Sequence, residues 1–300
     1  MLDRPRPHET LGALQNNRIA TTFVPPTVLY MLMELENVAE SNYPHLRNLI
    51  YGAGPMRPEA IERAQSLFGP CIASTYGQTE APQVATVISA ADLHRPEKRA
   101  SVGRETTLTQ VEIMGPDGSI LPAGETGEIV IRGDLLMTGY WNQPDKTAET
   151  IIDGWLHTGD LGLRDEEGFI FIRGRAKEMI ISGGFNVYPA DVEPVLGEHP
   201  TVVDCAVYGV PDNKWGESVH AAVQVREDVS AENLIAFVRE RVGPVKAPKS
   251  ITFYDQLPRN AIGKLQKAQL TEEHIAEEQK KPSGRTIWSV VDNAIPFEDE

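Results

Sequence analysis

Cysteine, basic charge and long apolar runs are what this sequence has little of. It has 2 cysteines, Cys71 and Cys205, far apart and without metal-ligand spacing. That excludes a disulfide scaffold and a zinc module, and predicts buried free thiols in a reducing compartment. No stretch approaches the roughly 20 apolar residues that cross a bilayer. The first residues, MLDRPRPHET, hold no apolar signal-peptide core, and the closing PFEDE is no recognised targeting signal. The expected location is the cytoplasm. Lys and Arg number 28 against 43 Asp and Glu, a formal charge of −15. This balance argues against a broad nucleic-acid surface and an anionic membrane, while leaving room for a local basic pocket that takes a phosphate. His8, His45, His94, His199, His220 and His274 form no metal pattern.

A length of 300 residues suits two domains. The spacing predicts a short helix within residues 11–19 and a strand over 21–24, ended by Pro25 and Pro26. A helix capped by Thr27 follows, with Val28, Leu29, Met31, Leu32 and Leu35 on its apolar face. Residues 46–51 read as a strand, 58–68 as a helix and 72–76 as a third strand. Small or polar residues, GAGP and GQTE, sit just past the second and third strand ends. That layout is an α/β sheet, with ligands expected outside the carboxyl ends of its strands. The indistinct start of this unit points to a missing upstream part.

After residue 101 the texture turns to β, with runs at 110–114 and 127–133 between turn clusters. Residues 154–160 (GWLHTGD) are a polar end to another β-type segment. Residues 168–193 (GFIFIRGRAKEMIISGGFNVYPADVE) then form a strand, a charged turn at Gly174, Arg175, Ala176 and Lys177, a second apolar run, a glycine pair and a helix opened by Pro189. From these residues alone two readings stay open: a surface hairpin with solvated charges, or a junction between two moving bodies that handles an anion. A smaller α/β unit follows, with strands at 202–210, 219–225 and 250–254 and a helix at 231–242. A turn-rich loop, LPRNAIGK, then carries Lys264. The expected fold class is α/β with mixed sheets: residues 1–174 a partial large domain with a β-rich part, 175–270 a small mobile domain, and 271–300 a loosely ordered tail. There is no internal repeat and no long linker.

Five segments, in this order, resemble the AMP-forming adenylating enzymes, the superfamily of acyl-CoA synthetases, peptide-synthetase adenylation domains and luciferase-like proteins. They are TYGQTE (75–80), GEIVIRGDLLMTGYWNQPDKT (127–147), GWLHTGDLG (154–162), residues 168–193 and LPRNAIGKLQK (257–267). FVPPTVLYML and GFNVYPADVE bring the texture nearest to fatty-acyl or aryl-acyl CoA ligases. One departure is large. The family also carries a Ser/Thr/Gly-rich phosphate loop ending in lysine, and nothing here matches it. The resemblance therefore implies the second half of the adenylating domain with the whole small domain.

What the resemblance implies is ATP-dependent activation of a carboxylic acid to acyl-AMP, then transfer to the thiol of CoA, with ATP, Mg²⁺ and CoA as cofactor and co-substrates. Lys264 would stabilise charge in the adenylation step, Thr79 would bond the α-phosphate and Glu80 would hold Mg²⁺. Tyr76 would stack on adenine, with Gly54 and Pro55 as the opposite wall and Gly77 beside it. Asp160 would accept both ribose hydroxyls, Arg175 would contact ribose or phosphate, and Asn186 would touch the nucleotide. Lys177 would be the hinge, and Gly183 and Gly184 would flank the pantetheine arm of CoA. Four of them have a plainer reading: Lys264 as a solvated lysine, Asp160 as a turn aspartate, Glu80 as a helix-terminal glutamate and Tyr76 as a core tyrosine. His157 reads as structural. Alternatives of another class are a catalytically incompetent piece that only binds AMP or CoA, and a carrier-protein-loading or luciferase-like relative. The acid and the oligomeric state are left open.

Overall fold

A computed structural model describes residues 6–259 and 265–280. Its first layer is a five-stranded sheet, β1 (Thr21–Val24), β2 (Asn48–Tyr51), β3 (Ile72–Gln78), β4 (Ala81–Ile88) and β5 (Arg104–Glu105), in that spatial order. β1, β2 and β3 run parallel, and β4 and β5 are antiparallel additions. Helices α1 (Pro7–Asn16), α2 (Pro26–Met33) and α3 (Pro58–Phe68) bury Leu11, Leu14, Leu29, Leu32 and Ile61 against Leu49 and Ile72. A short α4 (Ala90–Leu93) is capped by Ser89. Thr27 does not cap α2: Pro25 holds that place and Pro26 opens the helix, a position that needs no N–H.

β4 was not foreseen. Pro82 interrupts its apolar alternation, and proline lowers the strand reading of any run. The strand tolerates it because the register shifts there, from Tyr76 opposite Thr86 to Gln78 opposite Ala81. Thr79 and Glu80 therefore occupy a hairpin turn rather than a helix start.

The second sheet holds β6 (Thr109–Met114), β7 (Gly127–Gly133), β8 (Ile151–Ile152), β9 (Trp155–Arg164) and β10 (Ile170–Arg175), all antiparallel, with the short helix α5 (Pro144–Thr150) beside them. Its core is Val111, Ile113, Ile129, Ile131, Leu156 and Ile170; β6 follows the expected period-two alternation, while β7 buries Val130 as well as Ile129 and Ile131. The third sheet follows β11 (Ile180–Ser182), β12 (Phe185–Val187), β13 (Val202–Asp212), β14 (Gly216–Val225) and β15 (Ser250–Phe253). Helices α6 (Pro189–Gly197) and α7 (Ala231–Lys246) cover one face, packing Val192, Leu196, Leu234 and Val238 on Val207, Val219 and Val223. α7 kinks at Gly243, whose φ is 81° and which precedes Pro244.

The other face meets α8 (Lys267–Lys280), which corrects the expectation of a loose tail from residue 271. Leu270 is fully buried, and Ile275 joins it against Tyr208 and Leu257, so this polar segment keeps enough apolar contact to order. Residues 281–300 lie outside the described residues.

A backbone seam ties the first sheet to the second. Val102 N–H donates to Ile170 O at 2.9 Å, Ile170 N–H to Gly103 O at 2.8 Å, and the Ser101 hydroxyl to Ile170 O at 2.8 Å. Beside it Lys98, 5% exposed, lies 2.6 Å from Asp165 and 2.7 Å from Glu167, over the buried ring of Phe169. Hydrogen bonds from Arg95 and Lys98 hold the Glu167 carboxyl well below its ordinary value of 4.5, at about 2.

Two outcomes are expected. A Cβ on Gly103 would lie 2.1 Å from the backbone of Val87, so Gly103→Ala cannot be relieved by a rotamer change and should cost at least about 2 kcal/mol in denaturant unfolding. Because the Glu167 pKa is depressed on folding, its contribution is present above pH 4.5 and lost as pH falls towards 2. Acid titrations of Glu167→Gln should lack that part of the stability loss.

Candidate functional site

β2 and β3 are parallel neighbours, with Tyr51 opposite Ser74, so their carboxyl ends open on the same edge. The chain leaves β2 through Gly52, Ala53, Gly54 and Pro55, with Ala53 at a left-handed φ of 68°. Gly52 is needed for close packing, since a Cβ there would meet the Phe23 ring at 3.0 Å and Thr75 Oγ1 at 3.1 Å. Gly54 and Pro55 are exposed on this edge. β3 brings Tyr76 and Gly77 to it, then turns at Thr79 and Glu80.

The second sheet adds the charge. Asp160 lies on β9, 5% exposed, and pairs across the ladder with Arg175 on β10. Arg175 Nε stands 2.8 Å from Asp160 Oδ1. The Tyr76 hydroxyl donates to Asp160 Oδ2 at 2.7 Å. Burial, and next the Asp160 charge, push the Tyr76 phenol far up, so it stays protonated and donates. Tyr76, Asp160 and Arg175 thus form one hydrogen-bonded group from two sheets. An ionised carboxylate only accepts hydrogen bonds, which is the chemistry that hydroxyl donors call for.

Glu80 is placed by partners the sequence reading missed. The Tyr140 hydroxyl donates to Glu80 Oε1 at 2.6 Å, and Met137 N–H donates to Glu80 O at 2.8 Å. That hydrogen bond to Glu80 raises the Tyr140 pKa. Tyr140 also borders an open cavity of about 540 Å³ lined by Thr138, Asn142, Pro144 and Ile151. The signal was present in GYWN, but nothing in it marks which tyrosine faces a carboxylate. Among the described residues no group of three His, Cys, Asp or Glu could hold a metal ion. One carboxylate still fits Mg²⁺, which commonly takes one or two carboxylates with substrate phosphates completing its shell.

Arg173 is the extra residue where the β9–β10 register slips between Ile172 and Gly174. It reaches Asp191 on α6 at 2.9 Å, and Lys246 on α7 reaches the other oxygen of Asp191 at 2.7 Å. Lys177 is exposed in a 3-10 turn over Ala176–Glu178, directly after β10. Lys267 pairs with Glu193 at 2.8 Å and Glu178 at 3.3 Å. Gly183, Gly184 and Asn186 are exposed on the β11–β12 hairpin of the third sheet, outside the Asp160 group. Lys264 lies outside the described residues.

Comparison with known proteins bears on this arrangement. The profile of the AMP-binding enzyme family matches residues 1–141, and that of the AMP-binding enzyme C-terminal domain matches residues 191–264. The chain belongs to the AMP-forming adenylating enzymes. As a member of that superfamily it is 40% identical over 270 residues to the medium/long-chain-fatty-acid–CoA ligase FadD8 of Mycobacterium tuberculosis, an alignment covering 87% of this chain and 47% of the ligase. Its fold matches the amide bond synthetase McbA of Marinactinospora thermotolerans with a TM-score of 0.85 at 36% identity, over 91% of this chain and 56% of that one. It also matches o-succinylbenzoate CoA synthetase from Bacillus subtilis, solved with its acyl-adenylate intermediate, with a TM-score of 0.80 at 33% identity, over 88% and 53%. The chain spans about half the length of the curated relatives it matches. Among the described residues no helix is long and apolar enough to cross a membrane.

One outcome follows from the burial of Asp160. Tyr76→Phe removes a donor from a buried carboxylate and should lower unfolding stability by about 1–3 kcal/mol, read by chemical denaturation.

Proposed function

We propose that this chain carries the ribose-binding and thiol-transfer parts of an AMP-forming acid–thiol ligase. The observation that carries the reading is the buried Asp160 carboxylate between Tyr76 and Arg175, at the carboxyl edge of the parallel strands. Asp160 accepts the ribose hydroxyls, Arg175 faces ribose or phosphate, and Tyr76 lies against adenine opposite Gly54 and Pro55, with Gly77 beside it. Thr79 bonds the α-phosphate. Glu80, fixed by Tyr140, is the residue that would hold Mg²⁺, whose chemistry is to neutralise phosphate charge. The carboxylate of a fatty or aryl acid attacks the α-phosphorus of ATP and pyrophosphate leaves; the CoA thiol then attacks the acyl carbonyl and AMP leaves. Lys264 supplies a cation to the first step. Lys177 is the pivot between a large domain ending at residue 174 and a small domain over 175–270, and rotation there brings Gly183, Gly184 and Asn186 to the site. Two buried free cysteines fit a cytoplasmic setting.

A second reading is a chain that binds AMP or CoA without turnover. Assays with ATP, CoA and a panel of fatty and aryl acids separate the two, run on the chain alone and behind the amino-terminal portion of a relative. AMP and acyl-CoA are the products expected of the ligase. AMP binding without product in both formats supports the second reading. In the longer protein, Lys264→Ala should slow acyl-AMP formation on the order of 100-fold and spare thioester formation from supplied acyl-AMP. Lys177→Pro should do the reverse by stiffening the pivot. Equal loss of both half-reactions in both variants contradicts the domain-rotation account.

A further inference from the structure

The strand that presents Asp160 is not regular where Asp160 sits. β7 and β9 pair Glu128 with Leu161 and Val130 with His157. Between those pairs β7 contributes Ile129 alone, while β9 contributes Thr158, Gly159 and Asp160. Such an excursion leaves backbone groups without ladder partners, and buried ones must be bonded some other way. Thr158 Oγ1 donates to Ile129 O at 2.6 Å and accepts from Asp160 N–H at 3.1 Å. Gly159 takes a left-handed φ of 70°, which a side chain would resist.

Glu128 closes the excursion with both of its oxygens. Oε1 accepts from Gly159 N–H at 2.9 Å, and Oε2 accepts from His157 Nδ1 at 2.7 Å. An ionised carboxylate only accepts, so His157 carries its proton on Nδ1. One side chain of β7 thus grips the residue before Thr158 and the residue after it. The tip that results holds Asp160 between Tyr76 and Arg175.

We propose that Glu128 is a positioning residue for nucleotide binding: its carboxylate, with His157, locks the bulge that aims Asp160 at the ribose hydroxyls. This rests on the reading of Asp160 as the ribose acceptor. Glu128 touches no substrate in this account and acts through the backbone of Gly159. His157 gains a role as the second anchor of that carboxylate.

The test is a calorimetric comparison of AMP with 2′,3′-dideoxy-AMP, on the wild-type chain and on Glu128→Ala, Glu128→Asp and Glu128→Gln. The wild type should prefer AMP by about tenfold or more, the worth of hydrogen bonds to a charged group. Glu128→Ala should bring that preference to within about twofold, because a mobile Asp160 no longer meets both hydroxyls. Glu128→Asp is too short to span both donors and should lose most of the preference. Glu128→Gln keeps an acceptor for Gly159 N–H and should keep the preference to within about threefold of wild type. A merely structural glutamate would lower Tm in the variants and leave the AMP preference intact. A folded Glu128→Ala or Glu128→Asp chain with the wild-type preference therefore overturns the proposal alone. A wild-type chain that binds both nucleotides equally overturns the ribose reading of Asp160, and the proposal with it.

Discussion

Everything at the candidate site depends on one buried negative charge. Asp160 is nearly inaccessible, and a buried carboxylate persists as an anion only when charged and hydrogen-bonding partners surround it. Its partners come from different layers. Tyr76 belongs to the parallel sheet and Arg175 to the antiparallel one, so the carboxylate is a joint between them as well as a candidate ligand. The backbone seam at Ser101, Gly103 and Ile170 brings β10 to the first sheet and sets the place from which Arg175 reaches.

The site is built where strand pairing fails. The registers of β3 with β4, β7 with β9, and β9 with β10 each shift beside a candidate residue: Tyr76, Asp160 and Arg175. A regular ladder would turn these side chains by the fixed alternation of a pleat. A shift frees one or more residues to aim elsewhere, and side-chain bonds make up the missing backbone ones. Arg173 shows the same device turned outward. It is the extra residue of its strand, and it meets Asp191 and, through it, Lys246 on the helices of the third sheet.

Much of this was legible in the residues. The helix at 58–68 and the strand at 127–133 stand where their apolar spacing put them, because period and turn signals agree there. The apolar run after Lys177 does break at the glycine pair 183–184, where both residues take positive φ and the chain turns from β11 into β12. Other features were not legible, for physical reasons. Pro82 hid β4, and a mostly polar sequence hid α8, whose order comes from a few apolar contacts with β13. The charged turn expected at Gly174 begins later, since β10 runs through Arg175 under the pull of its pairing with Asp160. Tyr140 and Glu128 escaped notice because their importance lies in which side chain they meet across the fold, and local sequence carries no record of that.

The central claim is that Asp160 receives the ribose of an adenine nucleotide. The most direct measurement is the affinity of the chain for AMP, by titration calorimetry, in the wild type and in Asp160→Asn. The account predicts that the substitution weakens binding by about tenfold or more, since it replaces a charged double acceptor with a neutral amide. Equal affinity for AMP in the two proteins would contradict it.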